Sequence, residues 1–236
     1  MTKILLWDLE TTNLNADFGF ILCGGVKELG KKEKIYSLPE FKRFRTNSVD
    51  DKPLVKKLAE VLSEADVWVT WYGTFFDVPY LNSRLIQHGL DPMPPIPHVD
   101  GWKIARNRLK LHSNRLASVS AFLSLQEKTP ILQEHWLKAA AGYHDSIKYV
   151  TDHCRQDVIV LEEVYERIKP LALQHPNVAI GPTGGTGGCP ICGNLNTLVK
   201  RGFTMARTSK KQRYQCRKCG GWSTGRPERI ENIEVR

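Results

Sequence analysis

The chain has 236 residues, 25% of them charged and 41% hydrophobic, and a formal net charge of +9. That length allows one substantial core plus a small appendage. No apolar run approaches the about 18 residues a membrane helix needs, and the N-terminus lacks the basic start, apolar middle and small-residue cleavage site of a secretory signal, so a soluble, cytoplasmic protein without a membrane partner is expected.

In chain order, Lys3–Leu9, Phe20–Lys27 and Lys34–Leu38 read as three successive strands, with "ELGKKEK" turning between the second and third. A helix follows near Asp51–Ser63, where Leu54, Val55, Leu58, Val61 and Leu62 recur at helical spacing. "ADVWVTWYG" is rich in β-branched and aromatic residues and reads as a buried fourth strand. A second helix is expected from just after Asp77 to about Gln87. The proline-dense "DPMPPIPHVD" reads as an extended connection ending in a short fifth strand with His98 and Asp100. Trp102–Gly142 reads as several short helices. The strongest helical stripe comes last, from about Asp145 to Leu171, through Ile147, Val150, Cys154, Val158, Leu161, Val164, Ile168 and Leu171.

This order predicts an α/β domain over residues 1–174, a mixed sheet with helices packed on its faces. "HPNVAIGPTGGTGG" (175–188) then reads as a flexible linker, and residues 189–236 as a second, small domain. Residues 1–175 carry 23 Lys+Arg against 22 Asp+Glu, whereas residues 176–236 carry 11 against 3. The excess positive charge thus lies in the tail, which suits a polyanion such as nucleic acid, or else is an ordinary solvated surface.

Three acidic segments stand out. Asp8 and Glu10 alternate along one strand, so their side chains share a face, and two adjacent like charges resist burial unless a cation lies between them. Asp77 directly follows the fourth strand; alone it reads equally well as a helix cap, with Pro79 in the first turn. Asp157 sits on the inner stripe of the last helix, where a charge needs either a metal or a buried cationic partner. Together the four carboxylates offer hard oxygen ligands for two Mg²⁺ or Mn²⁺ ions, the requirement of phosphodiester hydrolysis by two metals.

"WDLETTNL", "WYGTFFDVPYLNSR" and "HCRQDVIVLEEVYERI" resemble the three exonuclease motifs of the DEDD 3′–5′ exonucleases. The likeness is to the predicted-exonuclease branch related to polymerase proofreading domains and covers about residues 1–170. It implies a ribonuclease-H-like fold, Asp8, Glu10, Asp77 and Asp157 as metal ligands, and Thr11 and Leu14 as contacts to the 3′-terminal nucleotide. The family usually has Tyr four residues before its last Asp, or His five before. Here His153 is four before and Asp152 five before. His153 and Asp157 are one helical turn apart, so an imidazole there would orient or deprotonate the attacking water, or be a hydrogen-bonded core histidine. Tyr72 stands where relatives often have Asn, which replaces one substrate contact with a stacking surface.

"GWKIARNRLKLHSNR" places Lys103, Arg106 and Lys110 along one expected helical face, for phosphates or simply for solvent. Trp71, Tyr72 and Phe75 could stack on bases, though aromatics beside a buried strand are more often core. Asp100 reads as a helix cap more readily than as a metal support. Cys23 and Cys154 fall singly inside a strand and a helix as buried thiols.

The other four of six cysteines form "CPICG" and "CRKCG", two CxxC pairs 23 residues apart. Cys189, Cys192, Cys216 and Cys219 make a closed set of four thiolates for one structural Zn²⁺, and the segments between them resemble a zinc ribbon. The cations, Phe203 and Tyr214 of "KRGFTMARTSKKQRYQCRK" suit a nucleic-acid backbone, while zinc ribbons also bind proteins.

The expected function is therefore a metal-dependent 3′–5′ exonuclease in DNA repair or replication, with single-stranded or 3′-ended DNA favoured over RNA. Two alternatives compete with it: a non-catalytic nucleic-acid-binding or recruitment protein on the same scaffold, and a structure-specific endonuclease.

Overall fold

The computed structural model describes residues 2–125, 132–180, 187–206 and 209–229. Its contacts divide into two units, Lys3–Arg167 and a second formed by Ile168–Arg236 with Met1–Thr2.

The first unit is a five-stranded mixed sheet. Its strands are β1 (Ile4–Thr11), β2 (Ile21–Glu28), β3 (Lys34–Ser37), β4 (Val67–Thr70) and β5 (His98–Asp100), in the order β3-β2-β1-β4-β5. β2 pairs antiparallel with both β1 and β3, whereas β4 runs parallel to β1 and β5 parallel to β4. The helices are α1 (Lys52–Ser63), α2 (Asp77–Gln87), α3 (Gly101–Arg108), α4 (Leu116–Phe122), α5 (Gln133–Ala140) and α6 (His144–Ile168). The expected element order holds.

β1 runs two residues past its expected end because β2 keeps pairing beside it, through Glu10↔Cys23 and Thr11↔Ile21, with a register slip between Glu10 and Thr11. On its other side the pairing with β4 ends at Leu6↔Val69. Asp8 and Glu10 therefore lie past the last β4 partner, at the carboxyl end of the parallel strands, where α/β sheets leave a crevice.

Helices cover both faces of β2. A Cβ built on Gly24 would lie 2.7 Å from Leu58 Cδ2 of α1, and one on Gly25 3.0 Å from Val158 Cγ1 and 3.1 Å from Cys154 Sγ of α6. Two adjacent glycines, one per face, let both helices close on the strand. Leu54, Val55, Leu58 and Leu62 of α1 are then fully buried, at about 1.5–3 kcal/mol each. α6 gives way to a 3₁₀ turn at Lys169–Leu171, because Pro170 lacks the N–H that would continue it.

Asp51 does more than begin α1. Fully buried, it accepts hydrogen bonds from Ile21 N (2.8 Å), Arg84 Nε (2.9 Å) and Arg84 Nη2 (2.6 Å), with His88 Nε2 also 2.6 Å away. Arg84 Nη1 donates onward to the Ala16 carbonyl at 3.2 Å. One ion pair thus ties β2, α1, α2 and the β1–β2 loop together. Asp51→Ala, which strands the buried guanidinium, is expected to lower unfolding stability by about 3–5 kcal/mol in urea titrations.

The second unit contains the antiparallel sheet β6 (Leu198–Met205), β7 (Ser209–Cys216) and β8 (Trp222–Arg229), in that order. Its buried cluster is Cys189, Ile191 and Cys216, with Cys192, Leu198 and Cys219 packed against it. In the segment expected to be a linker, Val178 is buried and its N–H donates to Pro190 O at 2.9 Å, so the part up to Ile180 is held to this unit. Four stretches with sequence-based expectations lie outside the described residues: positions 181–186 of that linker, 126–131 within the run of short helices, 207–208 in the basic stretch, and 230–236 at the end of the expected small domain.

Candidate functional site

β1 and α6 bring two overlapping groups of ligand-capable side chains together. Asp8, Glu10 and Cys154 each offer a ligand atom within 4.8 Å of the others, and so do Glu10, His153 and Asp157. Glu10 belongs to both. The alternation of β1 turns Asp8 and Glu10 toward α6, and the helical repeat stacks His153 on Asp157, with Nε2 3.7 Å from Asp157 Oδ1. His153 and Asp157 are both buried.

Asp77 reaches the same end of the sheet by another route. It is the first residue of α2, and its Oδ1 reaches across to accept the Leu9 N–H at 3.0 Å. Asp77 is 3% exposed, and that burial, with the charges of Asp100 and Asp157, outweighs the backbone hydrogen bonds from Leu9 and from its own N–H and pushes its pKa up to about 7. Cys154 is a buried thiol as expected, yet its Sγ lies 3.8 Å from the Asp8 carbonyl oxygen, beside the carboxylates. The Cys23 thiol next to it, burial and the charges of Asp8 and Glu10 all push its pKa well up, so it stays a neutral thiol.

The four paired cysteines also converge. Cys189 Sγ is 3.7 Å from Cys219 Sγ, and Cys192 Sγ is 3.8 Å from Cys216 Sγ. These separations exceed a disulfide bond and match the edge of a tetrahedron with metal–sulfur bonds of about 2.3 Å. Gly193 and Gly220, which follow the pairs, take φ of 72° and 76° and return their N–H groups to the Cys189 and Cys216 carbonyls at 2.8 and 2.9 Å. Against burial, which raises it, the Thr197 hydroxyl and backbone N–H groups bring the Cys216 thiol down to about 6.

The model of the RNase_H superfamily matches residues 5–169, well over half of the sequence. The chain belongs to that superfamily. Among curated proteins it is 25% identical over 184 residues to a PolC-type DNA polymerase III of Ureaplasma parvum, covering 70% of this chain and 11% of that protein. It is 31% identical over 108 residues to a DNA polymerase of Methanocaldococcus jannaschii, covering 36% of this chain and 7% of the other. In fold it is similar to the family B DNA polymerase of Pyrobaculum calidifontis, with a TM-score of 0.60 at 16% identity, over 72% of this chain and 25% of that one. The chain thus spans a small fraction of each.

The donor sets of the two units each fit metal ions. Asp8, Glu10 and Asp157 supply hard oxygens at one end of the sheet, suited to Mg²⁺ or Mn²⁺, and the four cysteines supply soft sulfurs, suited to Zn²⁺. The raised Asp77 pKa reflects first its burial and then the charges of Asp100 and Asp157. Its linkage has a definite sign. An Asp whose folded pKa lies above its unfolded value stabilises the fold fully at low pH and loses that contribution as pH rises from about 4 to about 7. In buffer without added divalent cation, the urea midpoint of this unit is expected to fall across that window. Asp77→Asn, which keeps an oxygen for Leu9, should flatten the fall.

Of the residues expected to contact substrate, Leu14 is 80% exposed on the β1–β2 loop and lines an open cavity of about 540 Å³ with Phe75, Phe76, Pro79 and Ile86. Thr11 is buried, and its hydroxyl donates to the Asn13 carbonyl at 2.9 Å. Lys103 and Arg106 are on α3, but Lys110 is not: the helix ends at Arg108, and Leu109 is extended (φ −115°, ψ 152°). The expected single face of three cations is therefore corrected to two on the helix and one on the loop beyond it. Tyr72 and Phe75 are not core, being 43% and 53% exposed. Trp136 carried no sequence signal, yet its indole N–H donates to the Thr11 carbonyl at 2.8 Å, just beyond the register slip after Glu10.

Proposed function

We propose that this chain is a metal-dependent 3′–5′ exonuclease that hydrolyses phosphodiester bonds of nucleic acid and releases nucleoside 5′-monophosphates. The observation that carries it is Glu10, which stands within ligand reach of Asp8 on one side and of His153 and Asp157 on the other. Partial similarity to DNA polymerases of a bacterium and an archaeon supports a nucleic-acid substrate, DNA ahead of RNA, and a place in repair or replication.

Asp8, Glu10, Asp77 and Asp157 would hold two Mg²⁺ or Mn²⁺ ions, which when bound supply a water of lowered pKa and positive charge beside the leaving oxygen. Leu14 and the Thr11 backbone meet the terminal nucleotide, and Lys103, Arg106 and Lys110 hold phosphates of the strand. His153 Nε2 accepts the proton of the attacking water, and the adjacent Asp157 carboxylate stabilises the imidazolium that results. His153→Gln is expected to lower turnover about 100-fold and to remove the acid limb of the pH–rate profile, with little change in substrate affinity.

In the second unit, Cys189, Cys192, Cys216 and Cys219 would hold one structural Zn²⁺, leaving no open position for chemistry. The resulting zinc ribbon binds substrate through its basic strands, or else a protein partner. Its sheet pairs cations with rings: Lys210 Nζ lies 5.1 Å from the Phe203 ring and the Arg213 guanidinium 5.7 Å from Trp222.

End-labelled single- and double-stranded DNA and RNA, incubated with Mg²⁺ or Mn²⁺ and resolved to single nucleotides, test the reading. A ladder shortening from the 3′ end is expected. Internal cuts would establish an endonuclease instead, and intact substrate with a mobility shift would establish a binding protein.

A further inference from the structure

α5 bridges the two elements that carry most of the acidic site. Of its eight residues only Ala139 is buried, so core packing alone does not seat so short a helix. Two adjacent side chains reach in different directions instead. Trp136 packs against the core cluster and donates its indole N–H to the Thr11 carbonyl of β1 at 2.8 Å. The His135 ring stacks on Tyr149 of α6, with centroids 4.2 Å and planes 20° apart, and its Nδ1 lies 3.3 Å from Ser146 Oγ. Thr11 follows Glu10 in sequence, and Tyr149 is one helical turn before His153. The helix therefore joins the Glu10 end of β1 to the stretch of α6 that leads into His153 and Asp157.

The Thr11 contact falls where β1 has least support. Pairing with β4 has ended at Leu6, and pairing with β2 slips between Glu10 and Thr11, leaving Leu22 as the extra residue of the opposite strand. A slip of this kind bends a strand, re-aims its side chains and leaves ladder groups to find other partners. An indole N–H only donates and a carbonyl only accepts, so Trp136 and Thr11 satisfy each other at the slip. Direction matters most at Glu10, which belongs to both ligand-capable groups. Bonds to a metal tolerate an error of about 0.2 Å, so a small re-aiming of this one carboxylate disturbs both groups at once.

We propose that Trp136 is a positioning residue: its indole N–H fixes the direction of Glu10 through the Thr11 carbonyl, and α5 acts as a brace that holds the β1 carboxylates and the His153–Asp157 turn of α6 at the spacing a divalent cation needs. The inference rests on the reading above for the metal ions, and not for the hydrolysis. Trp136 touches no ligand atom itself. It acts as the outer partners of metal ligands do, by holding a donor in one orientation before the ion arrives.

The test titrates the full chain with Mn²⁺ and follows the free ion by electron paramagnetic resonance, with urea midpoints measured in parallel without divalent cation. Trp136→Phe keeps a ring in place and removes the donor; Trp136→3-benzothienylalanine keeps the bicyclic shape as well, so it separates the hydrogen bond from packing. Each is expected to raise the Mn²⁺ concentration at half-saturation about 10-fold with little change in urea midpoint. His135→Ala, which frees the other end of the brace, should do the same, and the double variant should lose no more than the larger single effect. Parental Mn²⁺ affinity in Trp136→3-benzothienylalanine, or a loss accompanied by a collapse of its urea midpoint, would overturn the positioning role. Losses that multiply in the double variant would overturn the brace. If the parent binds Mn²⁺ and the variants bind it more weakly but no nucleic acid is cleaved, the positioning role stands and the nuclease reading falls; if nucleic acid is cleaved and the variants keep the parental affinity, the nuclease reading stands and the positioning role falls. A parent that binds no Mn²⁺ overturns both.

Discussion

Asp157→Ala is expected to reduce divalent-metal-dependent cleavage by at least about 1,000-fold without lowering the stability of the Lys3–Arg167 unit. The two halves of that result discriminate between roles. Asp157 is buried on α6, close to Glu10 and His153, and its charge contributes to the raised pKa of Asp77. If it serves as a metal ligand, its removal takes away a ligand and relieves repulsion among carboxylates, so the metal-free fold is unharmed. If instead it pairs with a buried cation, its removal leaves that cation uncompensated and costs about 3–5 kcal/mol. Parallel rate measurements and thermal melts separate the two. Cleavage at the parental rate would remove Asp157 from the catalytic set.

Removing the zinc proposed for the cysteine unit should have an effect of similar size on structure. Among the described residues, the cluster buried around the cysteines is one isoleucine and two cysteines, Val178 is also buried in that unit, and most of β6 faces solvent. So small an apolar core does not offset the ordering of three strands, and on the proposed reading zinc coordination supplies on the order of 10 kcal/mol. Cys192→Ser, or extraction of the ion by a zinc chelator, is expected to strip hydrogen-exchange protection from β6–β8 amides while β1 and β2 amides keep theirs. Native mass spectrometry should count one zinc per parental chain. Protected β6–β8 amides in a chain shown to be metal-free would mean that the sheet stands without the ion.

Much of this is legible in the sequence because its physics is local. The alternation of "WDLE", the apolar stripe of α6 and the two CxxC pairs each report a short repeat along the chain, and each sets a geometry that neighbouring residues alone enforce. Lys110 escapes its expected face because helix ends depend on capping, and Leu109 gives no glycine or proline signal there. Asp51 looks like a helix start, yet its partners Arg84 and His88 are more than 30 positions away. Trp136 and Thr11 are 125 positions apart, a separation at which no spacing rule operates.

The sequence by itself therefore determined the order of strands and helices, the faces on which Asp8, Glu10, His153 and Asp157 project, and the cysteine set. Only the tertiary structure decided that Asp77 would bond to the Leu9 backbone, that Cys154 would sit beside the carboxylates, and that Asp100 would gather three aromatic rings at the surface. The reason is physical: repeat patterns fix direction within one element, whereas distances between elements are set by how closely their surfaces pack. Here that packing passes through two glycines of β2 and one buried ion pair.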